Sequence, residues 1–141
     1  MAKLSFRLVM PERELVNTEA DMVVVPGVEG DFGVMHGHAP LISIVRPGVL
    51  EVLQGSKVEQ RFMVVGGFAE VTPERCTVLA NEVLAPTELS REEGERRVAE
   101  AEAHYATIEA SDVEGEELAL ERIQSARALV EAADALLTGG R

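Results

Sequence analysis

The chain has 141 residues, 46% of them hydrophobic and 27% charged, and a formal net charge of −12. That length makes one compact domain, or one small domain with an appendage, and it holds a core without disulfides or metal. Thirteen basic against 25 acidic residues argue against nucleic acid and anionic lipid as direct partners, because both are gripped through phosphates by Lys and Arg.

The single cysteine, Cys76, cannot form an internal bridge, which fits a reducing, intracellular compartment. No apolar run approaches the ~20 residues of a membrane span. The opening MAKLSFRLVMPERE carries charges where a signal peptide needs an unbroken apolar core. Direct membrane insertion is not expected. With no Trp and only Tyr105 as tyrosine, few aromatic anchors exist for a lipid interface or a sugar-binding face.

The first run alternates: Leu4, Phe6, Leu8 and Met10 on one face, Lys3, Ser5 and Arg7 on the other. Further strands are predicted at Met22 to Val25, Leu41 to Val45, Gly48 to Leu53, Val58 to Val65, Phe68 to Thr72 and Cys76 to Ala80. All six prolines and eight of the twelve glycines lie at or before Pro86, punctuating these runs. Seven or more short strands in residues 1–86 predict two sheets packed face to face around a Val and Leu core.

After Pro86 there is no proline, and Ala, Glu and Arg dominate, all strong helix formers. Ser90 followed by Glu93 is a capping-box pattern, with Val98, Ala101, Tyr105 and Ile108 recurring at helical steps. A second helix start falls at Ser111 or Asp112. Leu120, Ile123, Ala126, Val130, Ala133 and Leu137 form its stripe, and Gly139 and Gly140 its stop. Two helices joined by so few residues lie antiparallel. The expected fold is therefore α+β: a β-sandwich over 1–86 followed by a two-helix hairpin over 87–141.

The conspicuous stretch for chemistry is Pro26 to Leu41, PGVEGDFGVMHGHAPL. Read as an enzyme, it would offer His36 and His38 as metal ligands or general base, with Glu29 or Asp31 as partner. The remaining histidine, His104, lies in the helical tail, and a catalytic metal normally takes three protein ligands. A phosphate cradle lacks the Lys and Ser or Thr that must follow its glycines. The alternative for Gly27, Gly30, Gly33 and Gly37 is turn geometry or close backbone approach, and Gly66 and Gly67 serve likewise. Cys76, in a strand between Arg75 and Thr77, reads as a small structural residue. No nucleophile elbow or paired-carboxylate site is recognisable. The pattern favours an interaction subunit, with no cofactor and no metal, over an enzyme.

Pro26-Gly27, Gly30 to Gly33, Gly37 to Leu41 (Gly-His-Ala-Pro-Leu) and Pro47-Gly48 appear in that order, followed by Gly66 to Val71 (Gly-Gly-Phe-Ala-Glu-Val) and Thr77 to Ala80. With the acidic, Ala-rich tail, this series resembles the epsilon subunits of F-type ATP synthases over nearly the whole chain. The resemblance implies a β-sandwich and helical hairpin at the foot of a central stalk, gripping the gamma subunit and resting on the polar loops of the c-ring. It implies a non-catalytic rotor subunit that helps couple proton flow to ATP synthesis, peripheral on the cytoplasmic face of a bacterial inner membrane. It further implies that Glu29, Gly30, Asp31, His36, His38 and Pro40 form the rotor-contact loop, with Asp31 pairing a basic residue of the c-ring. For His38, rotor contact and a hydrogen-bonded turn both remain open. Gly27, Gly33, Gly37, Pro47, Gly48, Gly66 and Gly67 are implied turn positions. His36 stands where the family often carries Pro, which loosens the loop.

The resemblance also raises a nucleotide-sensing alternative, in which the hairpin binds ATP through Ile/Leu-Asp-x-x-Arg-Ala. The matching residues are Leu89, Ser90, Glu93 and Gly94, so the acidic, arginine and alanine positions are all replaced. Residues 87–141 hold 14 of the 25 acidic residues but only six of the 13 basic ones. The resemblance implies transient contact of the hairpin with the alpha and beta subunits, and where it meets an acidic segment of the beta subunit this tail would be repelled. The expectation is a weak inhibitor of ATP hydrolysis.

Overall fold

A computed structural model describes residues 2–85 and 90–137, with side chains through residue 134. The expected boundary at Pro86, the motif position Leu89 and the helix stop at Gly139 and Gly140 lie outside the described residues. The chain divides into two compact units, Met1–Ala85 and Pro86–Arg141.

The first unit contains eight strands: β1 (Leu4–Val9), β2 (Glu14–Ala20), β3 (Met22–Gly27), β4 (Gly30–Val34), β5 (Leu41–Ile44), β6 (Gly48–Gln54), β7 (Lys57–Val71) and β8 (Arg75–Leu84). Hydrogen bonding runs in the order β2-β1-β8-β7-β6-β3-β4, and β5 pairs with β7. β1 and β8 run parallel, and the other pairs are antiparallel. β7 serves two neighbourhoods: on one edge residues 57–64 pair with β6 and 68–71 with β5, while on the other edge residues 63–71 pair with β8. The continuous sheet therefore folds over into a sandwich.

The fold-over is made at Gly66 and Gly67, whose φ angles are 67° and 114°. Val64 and Ala69 are both buried although five residues apart, a spacing that a straight strand places on opposite faces. The glycine pair resets that parity and lets one strand supply the core from both layers. A Cβ at Gly67 would stand 1.9 Å from the Leu79 carbonyl oxygen, so only glycine fits. The core joins Leu4, Phe6 and Leu8 of β1 and Cys76 and Val78 of β8 with Val23, Val25, Val34, Leu50 and Val52, all fully buried. The clean alternation of β1 is thus a core face of large side chains, each contributing roughly 1.5–3 kcal/mol.

Three elements differ from the sequence expectation. β2, with sequence ELVNTEA, is a strand of mainly exposed and half-buried residues paired to β1, and its polar composition hides it. β4, with sequence GDFGV, runs through the segment expected to be loop, because Phe32 and Val34 still alternate inward. The two strands expected at Val58 to Val65 and Phe68 to Thr72 are one strand, β7, bent at its glycines.

In the second unit, α1 spans Arg91–Tyr105 and α2 Val113–Leu137. Ser90 is extended and its hydroxyl accepts the Glu93 N–H at 3.0 Å, capping α1. Asp112 does the same for α2, its carboxylate accepting the Gly115 N–H at 3.0 Å. The helices meet along Ala101, Ala119, Ile123, Ala126, Leu129, Ala132 and Ala133, which are buried, and Gly94 is buried with them. Leu120, expected on this stripe, is exposed: it lies one helical step from Ala119, so the buried face is centred elsewhere, and Leu129 is buried in its place.

Candidate functional site

The expected contact residues form two groups. Glu29, Gly30 and Asp31 sit at the tip of the β3–β4 hairpin, where Gly27 pairs with Gly30 across the turn of Val28 and Glu29. Gly30 has φ of 132°, a backbone that a residue with a Cβ rarely adopts. Gly27 is buried, and a Cβ there would lie 2.8 Å from the Gly30 carbonyl oxygen and from the Phe32 ring. The tip is therefore tightly packed behind and projects Val28, Glu29 and Asp31 outward, all exposed.

His36, His38 and Pro40 lie on the connection from β4 to β5. That connection is tied to the β7–β8 turn by the Gly37 N–H, which donates to the Pro73 carbonyl at 2.6 Å. The His38 N–H donates to the Met35 carbonyl at 3.1 Å, and its ring Nδ1 is 2.7 Å from the Ala39 carbonyl oxygen. β4 and β5 both lie between these residues and the hairpin tip, so the two groups do not form one cluster. Gly33 packs against Met22, Pro47 bends the chain between β5 and β6, and Gly48 packs against the Pro26 ring.

Two features of this region go beyond the sequence reading. Arg46 donates from Nη1 to the Gly27 carbonyl at 2.7 Å and from Nη2 to Asp31 Oδ1 at 2.6 Å, while its backbone N–H donates to the Pro26 carbonyl at 2.9 Å. Secondly, Ile44, Phe68, Leu79 and Val9 are register neighbours across β5, β7, β8 and β1, on the face turned away from the core. Ile42, Ile44 and Phe68 are 71%, 65% and 46% exposed. The Val28 N–H donates to the Ile44 carbonyl at 3.0 Å, which joins this apolar row to the acidic tip. The signal for the row was the uncharged run LISIV, in which Ile42 and Ile44 lie two residues apart and so share one face of a strand.

The rest of the chain offers little chemistry. Burial pushes the Cys76 thiol up to about 12, so it stays protonated and inert. Among the described residues, no three His, Cys, Asp or Glu side chains gather to hold a metal. Also among them, no helix is long and apolar enough to cross a membrane. At the start of α1, the three arginines face carboxylates. Arg91 bonds Asp134 of α2 and Glu95, Arg96 bonds Glu93 and Glu100, and Arg97 bonds Glu93. Hydrogen bonds from Arg96 and then Arg97 hold the Glu93 carboxyl down at about 2. An open groove of about 410 Å³ between the helices has a floor of Val98, Ala99 and Val130, rimmed by Glu95, Glu102 and Glu131 against Arg127. Three carboxylates around one cation repel a polyphosphate.

Comparison with known proteins gives a consistent picture. Residues 3–86 match the family described as "ATP synthase, Delta/Epsilon chain, beta-sandwich domain". The chain is 48% identical over 133 residues to the ATP synthase epsilon chain of Granulibacter bethesdensis, covering 94% of this chain and 98% of that one. It is 51% identical over 111 residues to the epsilon chain of Rhodospirillum rubrum, covering 77% and 83%. Its fold is similar to a chain in the mitochondrial ATP synthase of Euglena gracilis, solved as OSCP/F1/c-ring, with TM-score 0.71, 24% identity and coverage of 91% and 81%. A chain of the Tetrahymena thermophila mitochondrial ATP synthase central stalk and c-ring is likewise similar, with TM-score 0.66, 16% identity and coverage of 93% and 96%.

Proposed function

The chain belongs to the ATP synthase delta/epsilon family, among the epsilon chains, and on that premise we propose that it is the central-stalk rotor subunit of a proton-translocating F-type ATP synthase. In this reading the sandwich holds the gamma subunit and rests on the polar loops of the c-ring. It turns with them and passes torque between proton flow and ATP synthesis, as a non-catalytic subunit that makes and breaks no bond. Its place is the cytoplasmic face of the bacterial inner membrane, held peripherally by the complex.

The observation that carries this reading is the apolar row Ile42, Ile44, Phe68 and Leu79 beside the acidic tip of Glu29 and Asp31. Exposed apolar surface of this kind costs solubility unless another protein covers it. An adjoining carboxylate gives such an interface register and orientation rather than bulk affinity. The tip is the part we assign to the c-ring loop, with Asp31 meeting a basic residue there. His36, His38 and Pro40 lie at the far end of β5 and take the edge of the same contact.

The hairpin acts as a weak brake on hydrolysis. Its α2 carries Glu114, Glu116, Glu117, Glu121, Glu131 and Asp134 against Arg122 and Arg127, a poor match for transient docking on an acidic segment of the beta subunit. The test of the rotor reading is an Asp31→Cys variant paired with a cysteine in the c-ring loop of the assembled complex. A disulfide that forms and leaves ATP-driven proton pumping intact is expected, because the two parts turn together, and no cross-link in an active complex would overturn the contact.

A further inference from the structure

The two strands of the β3–β4 hairpin are clipped together at the tip by a side chain far away in sequence. Arg46 is 19 residues from Gly27 and 15 from Asp31, yet its guanidinium bonds the carbonyl of the first, on β3, and the carboxylate of the second, on β4. One planar group thus spans both strands at the turn, and its backbone N–H anchors it to the Pro26 carbonyl. The pair sits at the solvent border, with the Arg46 and Asp31 side chains 40% and 38% exposed. An exposed ion pair adds little to folding stability. What this one supplies is direction: a guanidinium fixed at two acceptors has a fixed plane, and that plane sets the orientation of the carboxylate bonded to it.

We propose that Arg46 is a positioning residue, which presents the Asp31 carboxylate in one orientation to a cationic side chain of the partner protein. This rests on the reading of the tip as a contact surface. A carboxylate has about four acceptor sites, so Asp31 accommodates Arg46 and a partner's Lys or Arg together. Lysine at position 46 would keep the charge but lose the fork, since one ammonium point charge does not fix a plane between two acceptors.

The test uses membrane vesicles that carry the ATP synthase stripped of this chain, to which the full chain is added back. The quantity read is the concentration that restores half of ATP-driven proton pumping, alongside the melting temperature of each variant. Asp31→Asn is expected to raise that concentration about tenfold, and Arg46→Ala about threefold. The double variant should be no worse than Asp31→Asn alone, because Arg46 acts through Asp31. Arg46→Lys should stay close to Arg46→Ala, with melting temperatures unchanged.

Arg46→Ala at the wild-type value, where Asp31→Asn is weakened, would overturn the positioning role and leave the contact standing. Multiplying effects in the double variant would make Arg46 a contact residue in its own right. Full rescue by Lys would reduce its role to charge. A fall in melting temperature that accounts for the loss would reduce it to a structural one. Asp31→Asn indistinguishable from wild type would overturn the reading of the tip itself, and the positioning role with it.

Discussion

Gly94 of α1 packs directly on Val130 of α2: a Cβ at position 94 would lie 2.7 Å from Val130 Cγ2 and 3.1 Å from its backbone nitrogen. This close approach separates two states of the hairpin by sign. In an isolated helix, Gly→Ala is favourable by about 1 kcal/mol. In the closed hairpin the added methyl must push the helices apart, at a cost of roughly 1–3 kcal/mol. Gly94→Ala is expected to lower the temperature at which the helical circular-dichroism signal of the full chain is lost. A rise would mean that the two helices are apart in solution.

The Glu93 carboxyl, held at about 2 against an ordinary 4.5, gives the hairpin a specific acid response. A depressed carboxylate contributes stability that is complete above its unfolded value and is lost as pH falls through the folded one. Glu93→Gln should therefore melt below wild type at pH 7. The gap should narrow below pH 4.5 and close near pH 2. A gap that stays constant with pH would show that the ion pairs with Arg96 and Arg97 contribute nothing.

Gly67→Ala tests the fold-over of the sandwich. With φ of 114° and the Leu79 carbonyl oxygen 1.9 Å from the new methyl, the strand cannot keep its path. A loss of about 3 kcal/mol or more is expected in chemical denaturation. Gly55→Ala, at φ of 63° with open space around it, should cost about 1 kcal/mol. Equal losses at the two sites would show that φ alone, and not the close approach, makes Gly67 necessary.

Removal of residues 87–141 addresses the brake. If the acidic hairpin is the poor match for its partner proposed above, this deletion should change the rate of ATP hydrolysis by the assembled complex by less than about twofold. A several-fold rise would show that the hairpin inhibits strongly despite its net negative charge.

What was legible in the sequence follows from the range of the interactions involved. β1 could be read because its alternation is local and its inner face is entirely core. The Ser90 and Asp112 caps could be read because a cap acts over three residues. β2 could not be read, as pairing with β1 stabilises it and its own composition is polar. β4 was obscured by Gly30 and Gly33, and its inward Phe32 and Val34 gain meaning only once β3 lies beside them. The acidic tip was visible as residues, whereas the Arg46 clip and the row Ile44, Phe68, Leu79 depend on strands far apart in sequence. Resemblance to a family pointed to Glu29 through Pro40 as a candidate contact loop, and the division of these residues into a hairpin tip and a separate connection emerged only from the topology.

In the proposed rotor role, the fifteen residues of β7 also set how the sandwich carries force. From the hairpin tip, a sideways pull passes along β3 to β6 and then into the first part of β7, each step a ladder of hydrogen bonds. At Gly66 and Gly67 the path changes layer through covalent backbone, and it continues to Phe68 of the apolar row. Ladders pulled along their length yield only when many bonds break together, and the layer change itself contains no bond weaker than a peptide. A twisting load at the acidic tip thus reaches the apolar face through a stiff, continuous track, with no dependence on side chains sliding past each other in the core.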